Sequence, residues 1–178
     1  PAPVASIPSI AFAWGAELPA ALGAAFADLA RAALLWGGSA ILTGGLPASP
    51  SFPWLDSSPT LACGQSPPHP GAHVMATPTR DPLEVITSLA ATGVDLILLA
   101  AQSPLPGNPL VPTLQVGHGP SAHEGDFDLL WAGADDKALA ERLATLVADT
   151  LAGRHEPVCR RQRNLAFQIP RGDFGISL

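Results

Sequence analysis

The stretch that decides the fold is residues 70–116, which read PGAHVMATPTRDPLEVITSLAATGVDLILLAAQSPLPGNPLVPTLQV. Its apolar run at 73–76 predicts a strand. Asp81, Pro82 and Glu84 then follow the pattern of a helix start. Asp81 is a favoured N-cap, proline suits the first helical position, and Glu84 stands where a capping box places its acid. We therefore predict a strand followed directly by a helix.

The second half of this stretch predicts two more strands. Gly93 is the natural left-handed residue to end the helix. Residues 94–100 carry apolar side chains on both faces, which is typical of a central strand in a parallel sheet that helices cover on both sides. Residues 101–109 hold turn-forming prolines, glycine and asparagine, and residues 113–116 return as a strand. The unit is strand–helix–strand–loop–strand.

The flanking sequence continues the alternation of strands and helices. Its predicted elements are strands at 7–14, 39–43 and 127–131 and helices at 17–36 and 135–152. Such an alternation indicates an α/β domain of three layers, with a mainly parallel sheet between flanking helices, as in Rossmann-like folds.

We divide the chain into an α/β domain, residues 1–153, and an Arg-rich C-terminal tail, residues 154–178. The domain contains a Pro-rich excursion at 44–71, where no helix can form and proline suits only the edge of a sheet. We expect Phe52, Trp54 and Leu55 to anchor this excursion by burial. The tail is expected to dock on the domain or on a partner.

Composition limits the partners. The net charge of −6 and the pI near 5.1 argue against nucleic acid, which requires a basic face. Only 13% of residues are charged and 47% are apolar, so we expect a homo-oligomer or a companion subunit or domain to cover part of the surface. No apolar run is long enough to span a membrane. Cys63 and Cys159 form no disulfide framework, and we expect a cytoplasmic protein.

Polar residues directly follow several predicted strands, and in a parallel sheet such positions gather at one edge. The functional hypothesis is a pocket for a small hydroxylated or carboxylated molecule, because open α/β sheets bind ligands at the carboxyl ends of their strands. The alternative is ordinary turn chemistry. No carboxylate pair or lysine there is placed for acid–base work, so catalytic residues stay unassigned. The candidate ligand-binding residues are Thr43, Thr77, Gln102, Ser103 and Asn108.

One loop combines imidazoles and carboxylates, the ligand types of zinc and other metals. His118 and His123 lie near Glu124, Asp126 and Asp128. Acidic loop clusters are usually solvated, and we predict no metal site.

On these residues the chain resembles the C-terminal part of the altronate and galactarate dehydratases, a family of sugar-acid hydro-lyases. The likeness is densest in residues 70–116 and extends to Gly37-Gly38-Ser39-Ala40-Ile41-Leu42-Thr43 and to Asp126-Phe127-Asp128. The densest matches to the family's motifs are Pro70-Gly71, Val74-Met75, Thr77-Pro78, Asp81-Pro82, Gly93, Leu96-Ile97 and residues 106–116.

The departures from the family pattern fall on polar positions. Ala76 replaces the family's aspartate, Ala100-Ala101-Gln102-Ser103 replaces a Thr-Thr-Gly-Arg run, and Gly44 replaces a glutamate. The resemblance implies removal of water from an altronate- or galactarate-like acid with a divalent metal such as iron. With those residues replaced, we expect a domain or subunit related to these dehydratases that is not catalytic on its own. The alternatives are a non-catalytic binding or assembly subunit and a small-acid sensor.

Overall fold

A computed structural model describes residues 8–15, 18–43, 52, 57–77, 79–133 and 136–168. In this part of the chain seven strands form one sheet, and the helices lie on its faces. The strands are β1 (Ser9–Trp14), β2 (Ser39–Thr43), β3 (Thr60–Leu61), β4 (Gly71–Met75), β5 (Leu96–Ala101), β6 (Thr113–His118) and β7 (Leu129–Trp131). The helices are α1 (Ala20–Leu35), α2 (Pro82–Ala91), α3 (Asp136–Leu151) and α4 (Val158–Arg161).

All neighbouring strands are parallel, in the order β3-β4-β2-β1-β5-β6-β7. The predicted three-layer, Rossmann-like α/β fold is therefore confirmed. β1 lies at the centre of the sheet, with Phe12 level with Leu42 of β2 on one side and with Leu98 of β5 on the other.

Alternate residues of β1 belong to two separate hydrophobic cores, one on each face of the sheet. Ile10, Phe12 and Trp14 join the core beneath α1 and α3, and Ala11 and Ala13 join the core beneath α2. Burial on both faces explains why these strands read as continuous apolar runs, without the alternation of a half-exposed strand.

The start of α2 follows the sequence prediction in its main contact and differs in one detail. Asp81 Oδ1 accepts hydrogen bonds from the backbone N–H groups of Leu83 and Glu84, at 2.8 and 3.4 Å. The Asp81 N–H donates to Thr79 Oγ1, and the Glu84 carboxylate accepts from the Gln168 side chain. The second half of the expected capping box is thus replaced by contacts to Thr79 and to the C-terminal segment.

Two short elements were not predicted from the sequence. β3 is a two-residue edge strand inside the Pro-rich excursion, and α4 is a single helical turn in the tail. Neither is long enough to show a hydrophobic period. In the described residues, no helix is both long and apolar enough to cross a membrane.

Candidate functional site

The order in which the chain adds strands to the sheet reverses at β1. The chain leaves β1 through α1 to reach β2 on one side, and β5 later pairs with the other side of β1. At such a switch point the neighbouring connections diverge and leave a crevice outside the carboxyl ends of the strands. Gly15 directly follows β1, and a Cβ atom built on it would have no heavy atom of the described residues within 4 Å. The described part of the chain therefore leaves space beside Gly15.

The N-terminus of α1 opens at the same edge, because α1 follows β1 closely. Its N-cap residue is Pro19, which supplies no side-chain hydrogen bond to the first turn. The first turn also contains no acidic residue. Backbone N–H groups at a helix N-terminus attract anions, and neither Pro19 nor an acidic residue of the first turn competes for them.

Thr43 is a buried hydroxyl at this edge. It is the last residue of β2, and its side chain is 2% exposed. No hydrogen-bond partner for its Oγ1 atom is found in the described residues. Buried polar atoms in native proteins nearly always have a partner, so this hydroxyl has unused hydrogen-bonding capacity.

Gln102 and Ser103 follow β5 and are exposed. A Cβ atom built on Gly119 would lie 3.7 Å from Gln102 Cγ, so the glutamine stem lies beside the loop after β6. Thr77 follows β4 and is partly buried. β4 and β5 are three strand spacings apart, about 14 Å, so one small molecule cannot readily contact both Thr77 and Gln102. The compact group is Gly15, Thr43, Gln102 and Ser103.

Asn108 lies at the opposite edge of the sheet. Its backbone N–H donates to Oγ1 of Thr113, the first residue of β6, at 3.1 Å. Its Oδ1 accepts from the N–H groups of Leu110 and Val111, at 2.9 and 3.1 Å. The loop after β5 must run back along the sheet to start a parallel strand, and Asn108 comes at the end of that return. Asn108 follows β5 in the sequence, but it does not lie with the other candidate residues.

The Pro-rich excursion reaches the carboxyl end of β1. Phe52 is 2% exposed and stacks on Trp14, with ring centroids 5.5 Å apart and an interplanar angle of 11°. The expected anchoring by Phe52 is therefore seen, while Trp54 and Leu55 lie outside the described residues. The aromatic pair fixes one point of the excursion next to the switch point.

A divalent metal is not supported by the donors present. Across the described ranges, no group of three or more His, Cys, Asp or Glu side chains is arranged to hold a metal ion. The loop with His118 and His123 contributes its Asp128 to protein contacts instead. The described residues therefore offer no ligand set for the iron that the resemblance implies.

Asp128 forms a buried polar network that the sequence did not reveal. Its side chain is fully buried. Oδ2 accepts from the Gln115 N–H at 2.8 Å, and Oδ1 accepts from the Val158 N–H at 2.8 Å and contacts His155 Nε2 at 2.9 Å. The network joins β6 to the segment that starts α4. An acid directly before an apolar strand is the one sequence signal that could have indicated it.

The thiol of Cys159 lies in this network and is protected. Its Sγ donates to the Thr113 carbonyl oxygen at 3.3 Å, and the residue is 4% exposed. Burial, and to a lesser extent the negative charge of Asp128, raises the pKa of this thiol. A raised pKa disfavours the nucleophilic thiolate.

Comparison with models of known protein families and with curated protein sequences gives no match to this chain.

Proposed function

We propose that this chain binds a small hydroxylated carboxylic acid at the carboxyl ends of β1, β2 and β5. The observation that carries the proposal is the switch point, where open space beside Gly15 meets the uncapped N-terminus of α1. The α1 N–H groups are suited to the carboxylate. Thr43, Gln102 and Ser103 are suited to hydroxyl groups, because each can both donate and accept a hydrogen bond.

The resemblance to sugar-acid dehydratases suggests the ligand class, namely altronate- or galactarate-like acids. We propose that the chain is a domain or subunit related to these enzymes that does not dehydrate the acid alone. Dehydration requires a base to remove a proton and an acid or metal to assist the departing hydroxyl. Gly15, Thr43, Gln102 and Ser103 offer neither. A companion subunit supplying those groups would make the pair a hydro-lyase, and binding alone would make the chain a sensor.

The direct test is calorimetric titration of the chain with altronate and galactarate. Gly15→Leu should weaken binding at least tenfold, because its side chain fills the open space. Gln102→Ala should weaken binding about two- to tenfold, the usual net value of one hydrogen bond. Thr145→Ala is the matched control, since Thr145 is exposed on α3 and its side chain bonds only within that helix; its affinity should equal that of the unmodified chain.

Three results would each contradict part of the proposal. Absence of binding by either acid at millimolar concentration would remove the ligand class. Equal affinity of the Gly15→Leu variant and the unmodified chain would remove the location. Turnover of either acid by the chain alone, with or without ferrous iron, would support a complete hydro-lyase and overturn the non-catalytic assignment.

A further inference from the structure

The amino edge of the sheet, opposite the candidate site, contains an apolar hollow. Its volume is about 440 Å³, and it lies where β1, β5 and β6 begin and α3 ends. One side chain in its lining is acidic: Asp95 is exposed, and its carboxylate accepts the Ser9 N–H at 2.8 Å. Thr150 is the second polar residue of the lining, and the other lining residues are Pro8, Pro112, Ala148, Leu151 and Ala152.

The exposed side chain of Leu110, called the knob below, lies beside this hollow. Leu110 is 79% exposed and lies two residues before Pro112 of the lining. Its turn is held by the two hydrogen bonds to Asn108 Oδ1 and by Arg160, whose Nη2 donates to the Pro109 carbonyl oxygen at 3.1 Å. Pro109 and Pro112 restrict the backbone further. A preorganised apolar side chain loses little conformational entropy on binding.

Two further apolar side chains are exposed at the same edge of the sheet. Trp36 and Leu35, at the end of α1, are 69% and 85% exposed and lie at the same edge of the sheet. From about 250 Å² for a whole tryptophan, and about 60–120 Å² for each leucine, Trp36, Leu35 and Leu110 together expose roughly 270–370 Å². That approaches half of the roughly 800 Å² that each partner contributes to a standard interface.

We propose that two copies of this chain pair through their amino edges, with Leu110 of each copy entering the hollow of the other. Knob and hollow are adjacent on one surface, which is what a two-fold, self-complementary interface requires. The charges agree, because the hollow carries the negative Asp95 and the knob's turn carries the positive Arg160. The last turns of α1 and α3 contain no basic residue, as suits the charge-poor centre of a homodimer.

The test is sedimentation velocity of the full chain at about 1–100 µM. This range brackets a dissociation constant on the order of micromolar. The unmodified chain should sediment as a dimer at the upper end. Leu110→Asp should raise the dissociation constant at least tenfold, and Trp36→Gln should also weaken pairing. Ala24→Asp is the matched control, because Ala24 is exposed near the start of α1, at the other edge of the sheet; this variant should pair normally. Thermal melting of each variant checks that the fold is intact.

A second measurement locates the contact. In a Cys63→Ser background, a Leu110→Cys variant mixed with an Ala148→Cys variant should form an interchain disulfide under mild oxidation, and either variant alone should not. A chain that stays monomeric at the highest concentration would overturn the proposal. So would unchanged pairing of Leu110→Asp, since the dimer would then use another surface. Neither outcome depends on sugar-acid binding at the opposite edge.

Discussion

Replacing Asp128 by alanine should destabilise the fold more than any exposed acid can. The substitution removes a fully buried carboxylate and leaves the N–H groups of Gln115 and Val158 buried without an acceptor. Each unpaired buried group costs about 1–3 kcal/mol, so the two N–H groups together cost about 2–6 kcal/mol. We therefore expect the free energy of unfolding to fall by about 3–5 kcal/mol, a large part of the roughly 5–15 kcal/mol of a typical domain.

Urea denaturation followed by circular dichroism measures this loss. With a slope of about 2 kcal/mol per molar urea, the midpoint should fall by roughly 2 M. Asp149→Ala is the control: Asp149 pairs with the exposed Arg154, and such pairs contribute about 1 kcal/mol or less. Hydrogen exchange should also become faster in residues 155–166, which the carboxylate attaches to the sheet. A loss below about 1 kcal/mol for Asp128→Ala would refute the reasoning that this network holds the C-terminal segment.

The remaining predictions concern two glycines, Gly15 and Gly38, and the two cysteine thiols. Gly38→Ala should lower the free energy of unfolding by more than about 2 kcal/mol, because its Cβ would lie 2.1 Å from the backbone oxygen of Pro8. Gly15→Ala should change it by less than about 1 kcal/mol. Similar urea midpoints for the two variants would contradict this expectation. Cys63 should react at once with a thiol reagent, and the buried Cys159 only after unfolding. The pKa of Cys159 is raised in the folded state, so the thiol ionises first in the unfolded chain as the pH rises. Its contribution to stability is therefore complete below about pH 8.5 and is lost at higher pH. In the Cys159→Ala variant, the free energy of unfolding should depend less on pH in this range.

Local signals in the sequence were sufficient for most of the fold. Asp81 and Pro82 start α2 as predicted, and Gly93, with a φ of 84°, follows its end. These features depend on the conformational preferences of a few adjacent residues, so the sequence contains them completely. The doubly apolar run at β5 likewise reports burial on both faces, which fixes a central strand without knowledge of its neighbours.

The site could be predicted only in part, because it depends on the path of the chain. Thr43, Gln102 and Ser103 directly follow the last residues of their strands or end them, and parallel pairing alone brings them to one edge. Asn108 comes six residues after Gln102, and the length of the return loop decides its position. Asp128 hydrogen-bonds groups up to 30 positions away in the sequence. No local preference indicates such a contact, since it forms only when α4 reaches the sheet.

The central position of β1 has a consequence for synthesis of the chain. Of the described strands β1 is made first, and it needs a neighbour that is made much later: Ser9 at its start and Asp95, next to β5, are 86 positions apart. At about 5–20 residues per second, the ribosome needs roughly 4–17 s to make that interval. Throughout it, one side of an apolar strand has unpaired N–H and C=O groups. Nascent chains of this length should therefore be substrates for holding chaperones, and stalled translation before β5 should favour aggregation.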